Sequence, residues 1–367
     1  MQDTSRSFSV SDDAMTRLQR LMDIAFAEHR APCAVLRAFN ATGADISLAA
    51  GFHTYDASRP VAPDDLFDLA SLTKVICTTT LTMLAVQNKC LNLDERIDVF
   101  LPERKSLSYP QPTVRQILAH CAGFPPFVPF HIQYANMTDA AEKRQQIIIT
   151  PLSSAPQTVT QYSDIGMMIL GIILERIFGQ TLSQQFAEQV AKPLGMTNTL
   201  FNPPTHLHDR CVPTEIINGS MPPTPWQGIV HDENARWLGG CAGHAGLFST
   251  AADLAKFAEM CLKHGGNLID HDVFDFFIRR ANLVEGSSRC LGWDSPTQPS
   301  SGGRLVGPNA FGHTGFTGTS FWIDPDAECA VILLTNAVHP DRSAKKNYFP
   351  WRNDVHTIAM EFLLEKQ

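Results

Sequence analysis

The chain has 367 residues, of which 44% are hydrophobic and 18% charged, with a formal net charge of -8. The length exceeds the roughly 50–250 residues of a usual domain, so two closely joined lobes are expected, in a globular and not a disordered chain. An acidic balance spread along the sequence excludes the basic surface that a nucleic-acid binder needs, and no apolar run reaches the roughly 20 residues of a membrane span.

The N-terminus lacks a basic start, an apolar run and a small-residue cleavage site, so no secretory signal is read and a cytoplasmic location is expected, periplasmic if the chain is a trimmed form. Ser11 suits the cap of a helix with Asp12 and Asp13 in its first turn, and Met15, Leu18, Met22 and Ala25 follow at helical spacing. Two strand-like runs, 33–39 and 45–51, flank the turn composition Asn40-Ala-Thr-Gly43 and predict a hairpin. Helices are expected over 71–87, 114–120, 163–178 with Gly179 as a stop, and 182–191 closing at Pro193. Residues 124–160, rich in Pro and Phe, read as irregular, and 202–248 as a long connection that is functional or mobile. Helices resume over 251–264 and 270–280, strands at 320–323 and 330–334, and a last helix puts Val355, Ile358, Ala359, Phe362 and Leu363 on one face. Strands at both ends with helices between them imply an α/β (α+β) fold: an antiparallel sheet built by both termini, residues 1–70 and 240–367, with an inserted helical lobe over 71–239 and a cleft between the two.

Nine cysteines, an odd number with no CxxC pair, suggest reduced and buried thiols in place of a disulfide or zinc framework. His206-Leu-His208, two alternating histidines in a loop, reads as surface and not as a metal site; no metal and no cofactor is expected.

The chemistry centres on Asp68-Leu-Ala-Ser71-Leu-Thr-Lys74. A serine hydroxyl needs a neighbouring base, and a lysine three residues on lies on the same helix face. Ser-x-x-Lys alone is common, and its ordinary reading is a capping Ser with a solvated Lys. Two later phrases lift it: Gln161-Tyr162-Ser163-Asp164 before a helix, and Phe311-Gly-His313-Thr314-Gly315-Phe316 before a strand. In this order they resemble the S-x-x-K, Y-x-N and K/H-T-G signatures of the serine β-lactamase, penicillin-binding protein and family VIII esterase superfamily, nearest its class C β-lactamase-related branch. Ile117-Leu-Ala-His120-Cys-Ala-Gly123-Phe124, Pro193-Leu-Gly-Met196-Thr-Asn-Thr199 and Ala242-Gly-His-Ala-Gly246-Leu-Phe-Ser-Thr250 resemble further phrases of that branch. The likeness spans about residues 12–363.

The resemblance implies a β-lactamase/transpeptidase-like fold and a serine hydrolase working through an acyl-enzyme on a small amide or ester. Ser71 would be the nucleophile, Lys74 its general base, and Tyr162 the proton shuttle to the leaving group. Asp164, His313, Thr314, Gly315 and Phe316 would line the substrate, with the amides of Ser71 and Phe316 as the oxyanion hole. Hydrolysis of D-amino-acid or peptidoglycan-derived peptides is the favoured activity. Short-chain carboxylester hydrolysis, true β-lactam hydrolysis and non-catalytic binding of β-lactams or muropeptides are the alternatives. Two departures carry expectations. Asp164 replaces the family's Asn, which raises the Lys74 pKa and suits an acyl group bearing a free amine. His313 replaces Lys, so carboxylate binding is expected to strengthen as pH falls toward about 6.

Overall fold

In the computed structural model the described residues are 13–57 and 59–366. The first helix, Ala14–Ala27, is capped by Asp13, whose carboxylate accepts from the Thr16 amide at 2.7 Å; the Ser11 cap and Asp12 lie outside the described residues. The hairpin forms as expected, β1 (Cys33–Asn40) against β2 (Asp45–Gly51), with the Asn40 side chain accepting from the Ala44 amide at 2.9 Å across the turn.

Short strands β3 (Phe67–Asp68), β4 (Leu200–Phe201) and β5 (Leu247–Ser249) make a small sheet in the order β3-β5-β4. The main sheet adds β6 (Phe311–Thr314), β7 (Ser320–Asp324) and β8 (Cys329–Thr335) in the antiparallel order β2-β1-β8-β7-β6. β1 pairs directly with β8, so both ends of the chain build one sheet. Helices Ala14–Ala27 and Tyr348–Glu365 cover one face, through Leu18, Met22, Leu36, Leu333, Trp351 and Val355. On the other face Val35, Ile332 and Phe321 pack on Phe257 of helix Ala251–Leu262, in a core that runs on through Leu170, Ile173 and Phe186 of the inserted helices. Apolar side chains covering both faces make β8 a fully buried strand.

Three sequence expectations are corrected. Residues 124–160 hold two helices, Phe130–Gln133 and Ala140–Ile148; no proline falls between 130 and 150, and Asp139 caps the second helix from the Glu142 amide at 2.8 Å. The helix starting at Leu182 does not end before Pro193 but continues through a π-helical turn (Ala187–Ala191) to Leu194. Proline stands there in the first turn of the final segment, where an amide is dispensable, and Gly195 at φ 67 makes the stop. The 202–248 connection is not structureless, holding a 3-10 turn (Thr205–Arg210) and helix Glu233–Trp237. The Phe-Gly-His-Thr phrase precedes strand β7 as expected and is itself a further strand, β6.

All nine cysteines are free; Cys90 is exposed, Cys241 half-buried and the rest buried. Burial pushes the Cys77 thiol well up, leaving an inert packing group beside Lys74. Among the described residues no single helix is long and apolar enough to cross a membrane.

Candidate active site

Ser71 sits at the mouth of the helix that begins just after it, held from both sides by backbone. Before it, Ala70 takes a left-handed φ of 47° and its amide donates to the buried Asp68 carboxylate at 2.8 Å. From the main sheet, the β6–β7 turn reaches back: Thr317 Oγ1 donates to the Asp68 carbonyl at 2.7 Å and Thr319 Oγ1 to the Leu69 carbonyl at 3.0 Å. Gly315 allows this approach, since a Cβ there would meet Thr319 Oγ1 at 2.0 Å and the Leu69 carbonyl at 2.4 Å. From the small sheet, the Leu69 amide donates to the Leu247 carbonyl at 2.9 Å and the Leu247 amide to Thr73 Oγ1 at 3.2 Å. Among the described residues, the amides of Ser71 and Phe316 donate to no protein acceptor, so both remain available to an oxyanion.

Lys74 is fully buried. Its ammonium donates to Ser71 Oγ at 2.8 Å and to the His244 carbonyl at 3.1 Å, and it forms an ion pair with Asp164 Oδ1 at 2.7 Å. The His244 carbonyl can reach Lys74 because the neighbouring Gly243 packs against helix Asp164–Phe178, where a Cβ would strike the Met167 carbonyl at 2.1 Å. Burial works to depress the Lys74 pKa, but Asp164 and Tyr162 together outweigh it and the net shift is upward. Asp164 opens its helix, with Ser163 capping the Gly166 amide at 3.2 Å, and the carbonyls of Pro125 and Pro126 hold both residues. The Pro/Phe segment thus anchors this helix end. The Asp164 carboxylate pairs with Lys74 through Oδ1, with its side chain 22% exposed.

Tyr162 is half-buried. Lys74 Nζ lies 4.9 Å from its ring centroid, and the Arg289 guanidinium lies 5.1 Å from it. Two histidines flank the ring: His120 at 4.6 Å between centroids and His313 at 5.8 Å. His120 Nδ1 accepts from the Ser163 amide at 3.2 Å, which puts its proton on Nε2; His313 Nδ1 donates to the Thr314 carbonyl at 2.8 Å, which leaves Nε2 as the lone-pair nitrogen. Both Nε2 atoms are buried without a protein partner.

His313 corrects a second expectation. Burial, with Arg289 and Lys74 adding to it, pushes its pKa down to about 3, so it stays neutral throughout the physiological range. It cannot supply a charge that grows as pH falls toward 6. Arg289 can supply a permanent one. It lies in the 288–294 loop, loosely paired with Asp294 at 3.6 Å, and the Asp294–Gly312 backbone bridge sets this loop beside β6. Nothing in the local sequence marks Arg289; only that bridge brings it to the site. His120 stood within a motif but without an assigned role.

Ser71, Tyr162, Arg289, His313, Lys345 and Arg352 line one cavity of about 320 Å³. Phe316, 49% exposed, edges it, stacked on His231 at 5.6 Å with Lys345 Nζ 3.4 Å from its ring centroid. Burial, helped by Arg342, lowers the Lys345 pKa to about 8. His231 both fixes its loop and edges the site: its amide donates to Asp68 Oδ2 at 2.6 Å, and its Nε2 meets Glu215 at 2.7 Å. His206 is exposed and His208 bonds the Pro203 carbonyl at 2.9 Å; among the described residues neither falls in a cluster of metal-ligating side chains.

Residues 17–352 match the Beta-lactamase family. A protein of Escherichia coli (strain K12) named "Putative D-alanyl-D-alanine carboxypeptidase" is 32% identical over 77% of this chain and 71% of its own length. Among solved structures, "EstCE1, a hydrolase with promiscuous acyltransferase activity" aligns over 94% of this chain and 98% of its own, with TM-score 0.73 and 21% identity. The octameric penicillin-binding protein homologue from Pyrococcus abyssi aligns over 90% and 75%, with TM-score 0.68 and 17% identity. At those identities the structural likeness speaks for the fold alone. The chain belongs to the Beta-lactamase family and is a serine hydrolase of the β-lactamase/transpeptidase-like fold.

Proposed function

We propose that the chain hydrolyses small amides or esters through an acyl-enzyme on Ser71, and that its substrates are D-amino-acid or peptidoglycan-type peptides ending in a carboxylate. The observation that carries this reading is Lys74 Nζ at 2.8 Å from Ser71 Oγ on the floor of a cavity lined by three cationic side chains. Ser71 Oγ attacks the carbonyl carbon while Lys74, having first released its own proton, takes the hydroxyl proton. The amides of Ser71 and Phe316 hold the oxyanion. Tyr162 passes the proton to the departing amine, and water then repeats the sequence on the acyl-enzyme. Arg289 pairs with the substrate carboxylate, the role the family gives to the residue at position 313. The sheet part, 1–70 with 240–367, and the helical part, 71–239, serve as the two walls of the cleft.

The relative's name supports the peptide substrate. A short-chain ester reading is favoured by one observation, the exposed rings of Phe316 and Phe349 at the cavity. A panel of D-alanyl peptides, p-nitrophenyl esters and nitrocefin, with Ser71→Ala as control, tests both. Release of D-alanine that is lost in the variant is expected. Ester turnover without any peptide release would replace the first reading by the second, and unchanged turnover in Ser71→Ala would overturn the nucleophile.

A further inference from the structure

We propose that His264, His271 and Asp275 bind a divalent transition-metal ion of the zinc type, tying the end of helix Ala251–Leu262 to helix His271–Ile278. None of the three lines the active-site cavity. Their candidate donor atoms all lie within 4.8 Å of one another. His264 Nδ1 meets Asp275 Oδ1 at 2.6 Å, while Oδ2 has only distant partners, His271 Nδ1 at 3.6 Å and Arg279 Nη2 at 3.7 Å. The two imidazole rings stack on each other at 4.8 Å and 18°.

Two imidazoles and a carboxylate are a donor set that suits zinc, which takes three protein ligands at about 2.1 Å and keeps a position for water. Neighbouring donors of such a tetrahedral ion lie about 3.4 Å apart, so roughly 1.4 Å of side-chain movement closes the site. His271, on a 64% exposed side chain, has room to make it. Binding through Nδ1 moves the proton shared by His264 and Asp275 to the imidazole Nε2 or into solvent.

The backbone beneath is already fixed. His264 stands just beyond the helix at φ 50, where glycine is the unstrained choice, and Gly265 is wedged against the Ile269 carbonyl, which a Cβ would meet at 2.2 Å. Ile269 is buried, and the Asp270 amide donates to Gln87 Oε1 at 2.7 Å. The connection between the two helices therefore presents its imidazole from a rigid turn, and the second and third donors lie one turn apart on the next helix.

The test uses the full chain dialysed free of metal. Calorimetric titration with ZnCl2 should give one bound equivalent and raise the melting temperature. His271→Ala and His264→Gly should each weaken binding by roughly tenfold or more, and the double variant should lose the thermal shift. His264→Gly relieves the left-handed strain, so it should melt without zinc close to the unsubstituted protein, which separates lost binding from lost folding. Absence of stoichiometric binding, or an affinity unchanged in the double variant because other histidines take the ion, would overturn the proposal.

Discussion

Replacing Asp164 by Asn removes the carboxylate 2.7 Å from Lys74 Nζ while leaving Lys74 in full burial. Burial, the influence now outweighed, would then be opposed chiefly by Tyr162. An opposite charge at this range holds a pKa by about 1–3 units, so its loss should lower that of Lys74 by at least that much. In the unsubstituted enzyme Lys74 lies above its ordinary 10.5, so the rate of acylation should climb with pH through the neutral range. In Asp164→Asn the same ascending limb should appear about 1–3 units lower, and the neutral-amine fraction at pH 7 should grow roughly 10- to 1000-fold. The assay is kcat/KM for an uncharged p-nitrophenyl ester from pH 5 to 10, with Tyr162→Phe alongside. A limb that stays in place would refute the reasoning: the Lys74–Asp164 pair would not govern the base. A limb lost only in Tyr162→Phe would assign the base to the phenol.

Arg289→Gln should raise KM for carboxylate-bearing substrates by roughly 10- to 100-fold, the worth of one charge-assisted hydrogen bond, and spare neutral esters. In the unsubstituted enzyme that KM should show no strengthening between pH 7 and 5; a tightening toward pH 5 would return the role to His313. Acid stability has a defined sign. The pKa values of His313 and His356 are pushed down to about 3, chiefly by burial, so below about 6.5 the unfolded chain binds more protons than the folded one. The melting temperature should therefore be highest above that pH and fall steadily toward 3, less steeply in His313→Gln. Gly243→Ala drives a Cβ into the Met167 carbonyl and should cost about 1–3 kcal/mol, seen as a lowered urea midpoint.

Much of the sheet and the central residues were legible, because they depend on short-range signals. Alternation and the Asn-to-Gly turn located the β1–β2 hairpin, and Ser163 and Gly179 bounded their helix at both ends. The phrases around Ser71, Tyr162 and His313 carried their own chemistry, and the structure gathers them around one cavity. What escaped was set by tertiary contact. The charge on His313 depends on a burial that no local sequence reports, and Arg289 arrives through a backbone bridge between residues 294 and 312. Asp164 was read rightly as a neighbour of Lys74, but its direct ion pair with that lysine shows only in the packed site. The 182–194 helix outran its proline because a π-helical turn reset the hydrogen-bond ladder just before it.

The pairing of β1 with β8 also shapes how the molecule is made. Ala34 finds its partner Thr335 only after about 300 further residues have left the ribosome, and the Trp351 indole that bonds the Leu21 carbonyl at 2.6 Å arrives later still. Until then the hairpin carries an open, apolar strand edge, the kind of surface that recruits other chains. Closure of the sheet is thus a late event with a long loop to bring together, and folding should be slow and dependent on chaperones during synthesis. A ribosome-tethered fragment ending before residue 329 should stay protease-sensitive throughout its first 50 residues, and adding the last strand and helix should protect them together.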